Sequence, residues 1–315
     1  MDRRSIRVSA PGSLMLFGEH AVLHGRPALA AAIDRRITVC LRPLDEDVLR
    51  IVSSAGRFEG TWRDLPEQGP LRFVAAALRP YAEVFRGGLA VDIESACRSD
   101  VGFGTSAAVT AALHGACLRR TRPEEAERPW RAEVFRRSVD TIRAVQGRAS
   151  GTDAAASVYG GLTAVGPGDA APRRFGVTQA LTAVYCGYKR PTPEVIAEVE
   201  RRRAAEPARV EACFDAIGRT AAAAEAALRE NRPERIGPLM DEGQEAMRAL
   251  GLETPELAEI TKTLRASPGI FGAKISGSGL GDCAAGWGRA ERAPDFRFPV
   301  FRLKVDNTGV TCTLS

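Results

Sequence analysis

Residues 9–25 read Ser-Ala-Pro-Gly-Ser-Leu-Met-Leu-Phe-Gly-Glu-His-Ala-Val-Leu-His-Gly. Small residues lead into an apolar strand, Leu14 to Phe17, and Gly18, Glu19 and His20 stand where that strand stops. Polar groups at the mouth of a strand lie where ligands bind, because the strand is rigid and its end faces a crevice.

Three more segments share this character. Residues 100–108 are Asp-Val-Gly-Phe-Gly-Thr-Ser-Ala-Ala. Gly102 and Gly104 let the backbone bend and approach a ligand closely. Thr105, Ser106 and Ala107 then open a helix whose unpaired N–H groups and dipole favour an anion. A tight turn with a small packing face is an equally good reading of this segment alone. Residues 274–283, Lys-Ile-Ser-Gly-Ser-Gly-Leu-Gly-Asp-Cys, place Ser276, Gly277, Ser278 and Gly279 in a loop of exposed N–H groups after a strand. By itself this is also an ordinary glycine-rich hairpin turn. Residues 150–161, Ser-Gly-Thr-Asp-Ala-Ala-Ala-Ser-Val-Tyr-Gly-Gly, hold Asp153 between a Ser-Gly turn and small residues, free to reach into a cleft or to cap a turn. Phosphoryl transfer to an alcohol needs a group to orient the hydroxyl and accept its proton. No Gly-Lys-Ser/Thr loop and no Gly-x-Gly-x-x-Gly fingerprint occurs.

In this order the segments resemble the signatures of the superfamily of galactokinase, homoserine kinase, mevalonate kinase and phosphomevalonate kinase (GHMP), and of mevalonate kinases within it. Residues 9–25 resemble the first mevalonate kinase signature. Residues 102–108 resemble the phosphate loop Gly-Leu-Gly-Ser-Ser-Ala-Ala. Residues 274–283 resemble the last signature, Lys-x-Thr-Gly-x-Gly-x-Gly-Gly-Cys, and 150–161 the stretch Ser-Gly-x-Asp-Asn-Ala-Val-Ser-x-Tyr-Gly-Gly. Cys186-Gly-Tyr-Lys-Arg-Pro-Thr-Pro resembles the segment that closes over the acceptor, and Met240 to Glu245 with Leu250 to Leu257 the helices that shape its pocket. The likeness spans nearly the whole chain.

The resemblance implies an α+β, two-lobed GHMP-kinase fold: an N-terminal ribosomal-protein-S5-like lobe over 1–170, a C-terminal ferredoxin-like lobe over 171–315, and ATP and acceptor in the cleft between. It implies ATP-dependent phosphorylation of the 5-hydroxyl of mevalonate, with ATP and Mg2+ as cofactors. In that scheme Asp153 is the catalytic base. Gly102, Gly104, Thr105, Ser106 and Ala107 hold phosphates with Ser276, Gly277, Ser278 and Gly279, and Ser106 contacts the metal. Glu19, His20, Lys189 and Thr192 face the acceptor. Another small alcohol (a sugar or a phosphorylated mevalonate), a decarboxylase-like relative and a catalytically silent ATP-binding homologue stay open as alternatives.

Three departures from the family change the charge of the site. Ser13, at a catalytic position, replaces the lysine that follows Pro-Gly. Ile142 stands eleven residues before Asp153, where these kinases place a magnesium-binding Glu, and an aliphatic group cannot ligate that hard cation. Asp282 replaces a glycine. Losing one charge clamp in phosphoryl transfer costs several kcal/mol of barrier, and Lys189, Arg148 and Ser106 are the candidates to restore it.

Composition is compatible with an enzyme of this kind. The chain has 315 residues, 44% apolar and 26% charged, with a net charge of +5. No apolar run approaches the roughly 18 residues of a membrane span, and Met1-Asp-Arg-Arg lacks a secretory core, which reads as cytoplasmic. Arginine runs such as Arg201-Arg202-Arg203 alternate with Glu, as solvated helix faces do, and do not point to nucleic acid. The seven scattered cysteines read as reduced thiols. His20, His24 and His114 have no metal-site spacing. The small acceptor is thus the expected partner, and an exposed sheet edge or helix could carry a homodimer contact.

Periodicity predicts strands around Ile33–Leu41, Leu89–Ile93, Ala273–Ser276, Cys283–Trp287 and Val300–Val305. It predicts helices over 70–85, 105–118, 133–146, 193–205, 210–230 and 255–266. Thr192 and Thr254, each followed by Pro-Glu, are the expected N-caps of two of them. The Gly/Pro-rich connection at 165–172 marks the expected boundary between lobes.

Overall fold

A computed structural model describes residues 5–85, 87–98, 101–169, 171–291 and 297–314. The N-terminal residues 1–4, Asp100 of the second segment and Ala170 in the expected inter-lobe connection lie outside them.

The apolar run at Leu14–Phe17 is the end of a longer strand, β1 (Ile6–Phe17). Its first half alternates, with Ile6, Val8 and Ala10 buried against exposed or half-buried Arg7 and Ser9; its second half is almost wholly buried. β2 (Ala28–Leu44) pairs with it antiparallel, with an irregularity between Pro11 and Gly12. Then follow β3 (Leu49–Ser53), β4 (Gly56–Gly60), α1 (Arg72–Leu78), β5 (Gly88–Ser95), α2 (Thr105–Thr121), α3 (Glu127–Gln146), α4 (Thr152–Tyr159), β6 (Leu162–Val165) and β7 (Arg173–Phe175). The second half holds β8 (Ala180–Tyr185), α5 (Thr192–Ala205), α6 (Pro207–Arg229), α7 (Ile236–Ala249), α8 (Pro255–Ala266), β9 (Ile270–Ser276), β10 (Cys283–Gly288), β11 (Val300–Lys304) and β12 (Thr311–Leu314).

These strands form two sheets. The eight-stranded sheet runs β12-β1-β2-β5-β3-β4, with β6 on the first half of β2 and β7 beyond it; only β3–β5 is parallel. The four-stranded sheet, β11-β8-β10-β9, is antiparallel throughout. α1 and α3 pack on α2, and α2 and α4 pack on β1 and β2, around Leu14, Val39, Leu113 and Trp130. A second core gathers Val195, Phe214, Met247, Ile260 and Ile275 from α5 to α8 and the small sheet. The mixed α+β class expected from the sequence is the observed one. The sheets, however, do not part at 170: β7 and the C-terminal β12, both within the expected second lobe, hydrogen-bond into the larger sheet.

Several element ends differ from expectation. The helix read over 70–85 is α1 plus a 3-10 turn at 79–81, because Pro80 has no N–H to continue the ladder. α3 starts at Glu127, six residues before the expected 133, with Pro129 tolerated in its first turn. Thr254 caps α8 as expected, accepting from the N–H of Leu257. Thr192 does not cap α5: the helix includes it, Pro191 is the N-cap, and no side-chain capping bond forms. All seven cysteines are free thiols. Among the described residues no helix is long and apolar enough to cross a membrane.

Candidate active site

The four segments meet at one cleft of about 750 Å3. Hydrogen bonds join them in sequence-distant pairs. The Ser13 N–H donates to the Phe103 carbonyl (3.0 Å), tying the end of β1 to the glycine turn before α2. The Ser13 hydroxyl donates to Asp153 Oδ1 (2.7 Å). The Gly102 N–H donates to Asp282 Oδ1 (2.7 Å), and Asp282 Oδ2 meets Lys189 Nζ at 2.8 Å. Ser276 Oγ donates to the Met15 carbonyl and His20 Nε2 to the Ser278 carbonyl, both at 2.8 Å.

Two glycines make this approach feasible. Gly104, the N-cap of α2, has φ +61°, and a Cβ there would lie 1.9 Å from Ser13 Oγ. A Cβ on Gly102 would lie 2.2 Å from Asp282 Oδ2. Past Gly104 the first turn of α2 presents Thr105, Ser106 and Ala107 to the cleft, so its unpaired N–H groups and dipole face the space where an anion would sit.

Asp153 is the second residue of α4, whose N-cap is Gly151 at φ +79°. The sequence reading placed a Ser-Gly turn before Asp153 and no element after it; the residues after the turn form a helix, and it aims the carboxylate into the cleft. Burial pushes the Asp153 carboxyl above its ordinary range, while the Ser13 hydroxyl and Lys189 pull it down and Glu19 and Asp282 push it further up. Burial likewise lowers His20, against the Ser278 carbonyl and Glu19, so the ring is a neutral donor to that carbonyl.

Glu19 is paired with Lys274 of β9, and both side chains are 2% exposed. Lys274 also donates to the Ile275 carbonyl (2.6 Å), and Glu19 Oε2 has no hydrogen-bond partner among the described residues. Burial draws the Lys274 amine down and Glu19 holds it up. Sequence reasoning named Glu19 but not its partner; the available signal was a lysine inside an otherwise buried strand.

Of the expected site residues, the cleft brings together Gly102, Gly104, Thr105, Ser106, Ala107, Asp153, Glu19, His20, Lys189, Thr192, Ser276, Gly277 and Ser278. Ser13 lies beneath Asp153, fully buried. Gly279 is not in the lining and packs against Leu252. Arg148 lines the cleft but is engaged by Glu200 of α5 at 2.9 Å. Asp282, Arg72 and Gln146 also line it and were not among the expected ligand groups.

Ile142 packs with Phe73, Ala107 and Ala154, so the wall where the family has its metal-binding Glu is apolar. Among the described residues no cluster of three His, Cys, Asp or Glu side chains could hold a metal ion. Asp282 and Glu19 are each engaged by a lysine, and Asp153 by Ser13. The carboxylates of the cleft are therefore taken up by protein partners and do not make a resident metal site among the described residues.

Comparison with known proteins identifies the family. Residues 71–161 match the family described as GHMP kinases N terminal domain and residues 224–299 GHMP kinases C terminal. Residues 2–43 match the galactokinase galactose-binding signature. The chain is 32% identical over 277 residues to a mevalonate kinase of Methanothermobacter thermautotrophicus, covering 87% of each. It is 30% identical over 295 residues to that of Pyrococcus furiosus, covering 87% of this chain and 86% of the other. Among solved structures, Methanococcus jannaschii mevalonate kinase superposes with a TM-score of 0.79 at 22% identity, covering 95% of this chain and 98% of that one. Lactococcus lactis galactokinase complexed with galactose gives 0.78 at 15% identity, covering 98% and 95%.

Proposed function

The chain belongs to the GHMP kinases and is an ATP-dependent small-molecule kinase; on that premise we propose that its acceptor is the 5-hydroxyl of mevalonate. The observation that carries this reading is Asp153, held by Ser13 beside the α2 N-terminus and lining the same cleft, in a chain whose curated relatives named above are mevalonate kinases.

In this reading the ATP phosphates lie against the first turn of α2 and the loop at 276–278. The Ser13 hydroxyl fixes one oxygen of Asp153, and the other orients the acceptor hydroxyl and takes its proton. The acceptor oxygen attacks the γ-phosphorus, the bond to the bridging oxygen breaks, and ADP leaves. Asp153 must be ionised to act, and the upward pull of burial brings its basicity closer to the working pH. Mg2+ enters with ATP, as part of the substrate, with Ser106 as its side-chain contact. Glu19, His20 and Thr192 shape the acceptor side. We take the enzyme as cytoplasmic, where ATP is available. We also take 1–170 and 171–315 as its lobes, the second sending β7 and β12 back to the first sheet.

The match of residues 2–43 to a galactose-binding signature favours a sugar as the second reading of the acceptor. The test is ADP release with Mg-ATP against mevalonate, its 5-phosphate, galactose and homoserine, with Asp153→Ala as control. Turnover on mevalonate that the control loses supports the proposal. Turnover on galactose alone transfers the mechanism to a sugar and refutes the mevalonate assignment.

A further inference from the structure

Two of the three charge-changing departures from the kinase signatures lie in one bonded constellation. Position 13 lacks its lysine, and position 282 has gained a carboxylate. That carboxylate is buried, with its side chain 5% exposed, and it holds Lys189, whose side chain is 35% exposed and lines the cleft. Asp282 is tied to the Lys189 segment three times. Besides the 2.8 Å ion pair, its N–H donates to the Tyr188 carbonyl (2.8 Å) and its carbonyl accepts from the Cys186 N–H (2.9 Å). It sits at φ +72°, a conformation that side chains other than Gly, Asn and Asp rarely take. Its second carboxylate oxygen takes the Gly102 N–H in the turn before α2. A lysine side chain alone is a flexible point charge; this one is anchored from a rigid, buried carboxylate.

We propose that Lys189, positioned by Asp282, is the cation of the transfer site, standing in for the lysine that Ser13 replaces. Lys189 faces the transferring phosphoryl group and Asp153, and Asp282 acts through it as a positioning residue. The inference rests on the kinase reading above. Its electrostatic support is that Lys189 favours the ionised form of Asp153, against the opposing charges of Glu19 and Asp282 that face the same carboxylate. Arg148, the other basic candidate, is engaged by Glu200 and exposed.

The test compares Lys189→Met, Lys189→Arg, Asp282→Asn and the Lys189→Met/Asp282→Asn double variant. Readouts are steady-state kinetics, pH–rate profiles and direct titration of the Asp153 carboxyl by carbon-13 NMR. Lys189→Met is expected to lower kcat about 10²–10³-fold, the range for removing one preorganised charge stabiliser. The acid limb should move to higher pH, and Lys189→Arg should recover much of the rate. Asp282→Asn should lower kcat less, and add little in the double variant because it acts through the lysine. An unchanged kcat, a loss confined to the acceptor KM, or additive effects of the two substitutions would overturn the proposal. If the unaltered protein turns over none of the acceptors, the proposed acceptor has failed. The Asp153 titration tests the Lys189–Asp153 coupling separately: an upward shift in Lys189→Met supports it, and no shift ends the inference.

Discussion

Replacing Lys274 by Met removes one partner of the most deeply buried ion pair among the described residues while nearly keeping side-chain volume. Glu19 is then left 2% exposed with no cation, and its Oε2 has no hydrogen-bond partner among the described residues even with the lysine present. Breaking a buried pair in this way costs about 3–5 kcal/mol. Unfolding entropy of about 2.1 cal/mol/K per residue near 60 °C, over 315 residues, amounts to about 0.66 kcal/mol/K. The expected fall in Tm is therefore about 5–8 °C for a single cooperative transition. Removing both charges in Glu19→Gln/Lys274→Met should restore most of that loss, since replacing a whole buried pair is often neutral. The assay is calorimetry of the three proteins in one buffer at one scan rate. A Tm change under about 1 °C in Lys274→Met, or a double variant as destabilised as the two singles combined, would refute the account of an electrostatically closed pair.

Two further predictions concern Asp153 and the helix caps. Because burial raises the Asp153 carboxyl and the base works ionised, kcat should fall as pH falls through a midpoint above the ordinary carboxylate range. A pH–rate profile with no limb there would refute the assignment. Asp153→Asn should cost about 10²–10⁴-fold in kcat yet raise Tm at neutral pH. A carboxyl whose folded-state value is raised contributes stability only while protonated and loses it as pH climbs past that value. Thr254→Ala should cost about 1 kcal/mol by removing the α8 cap, about 1.5 °C on the same entropy scale. Thr192→Ala should leave Tm nearly unchanged, because no capping bond is lost; equal losses in the two variants would contradict the observed caps.

What the sequence made legible was local. Glycines at 102 and 104 and an alternating strand over 33–41 are statements about neighbouring residues, and each survives in the structure. β1 was read short because Pro11 and Gly12 interrupt its alternation; the sheet absorbs them at an irregularity between those two residues. α4 was not read as an element because eight residues flanked by glycines make a marginal helix alone. Its stability comes from packing on β1, β2 and α2. β12 pairs with the opposite end of the chain, a non-local contact without a local signature. The Lys189–Asp282 and Glu19–Lys274 pairs escaped for the same reason: a carboxylate's partner is chosen by the fold, not by the residues beside it.

The exchange at position 282 has an electrostatic logic. A glycine there would leave the Gly102 N–H pointing at the phosphate space as one more dipolar donor. Asp282 takes that donor out of service and in return fixes an ammonium at the same cleft. A dipole's field falls off faster with distance than that of a charge, so a single N–H serves only an oxygen in direct contact. The ammonium stands nearer the cleft than the buried carboxylate that holds it, so its charge, partly offset by Asp282, reaches both the γ-phosphoryl oxygens and the base. With Ile142 closing the metal-side wall and Ser13 neutral, the cleft depends on the Lys189 charge more than a cleft with lysine at 13 and glutamate at 142 would. The same dependence explains why Ser13 can serve as a hydrogen-bond donor that only aligns Asp153: the charge it does not carry is supplied across the cleft, from the segment bonded to Asp282.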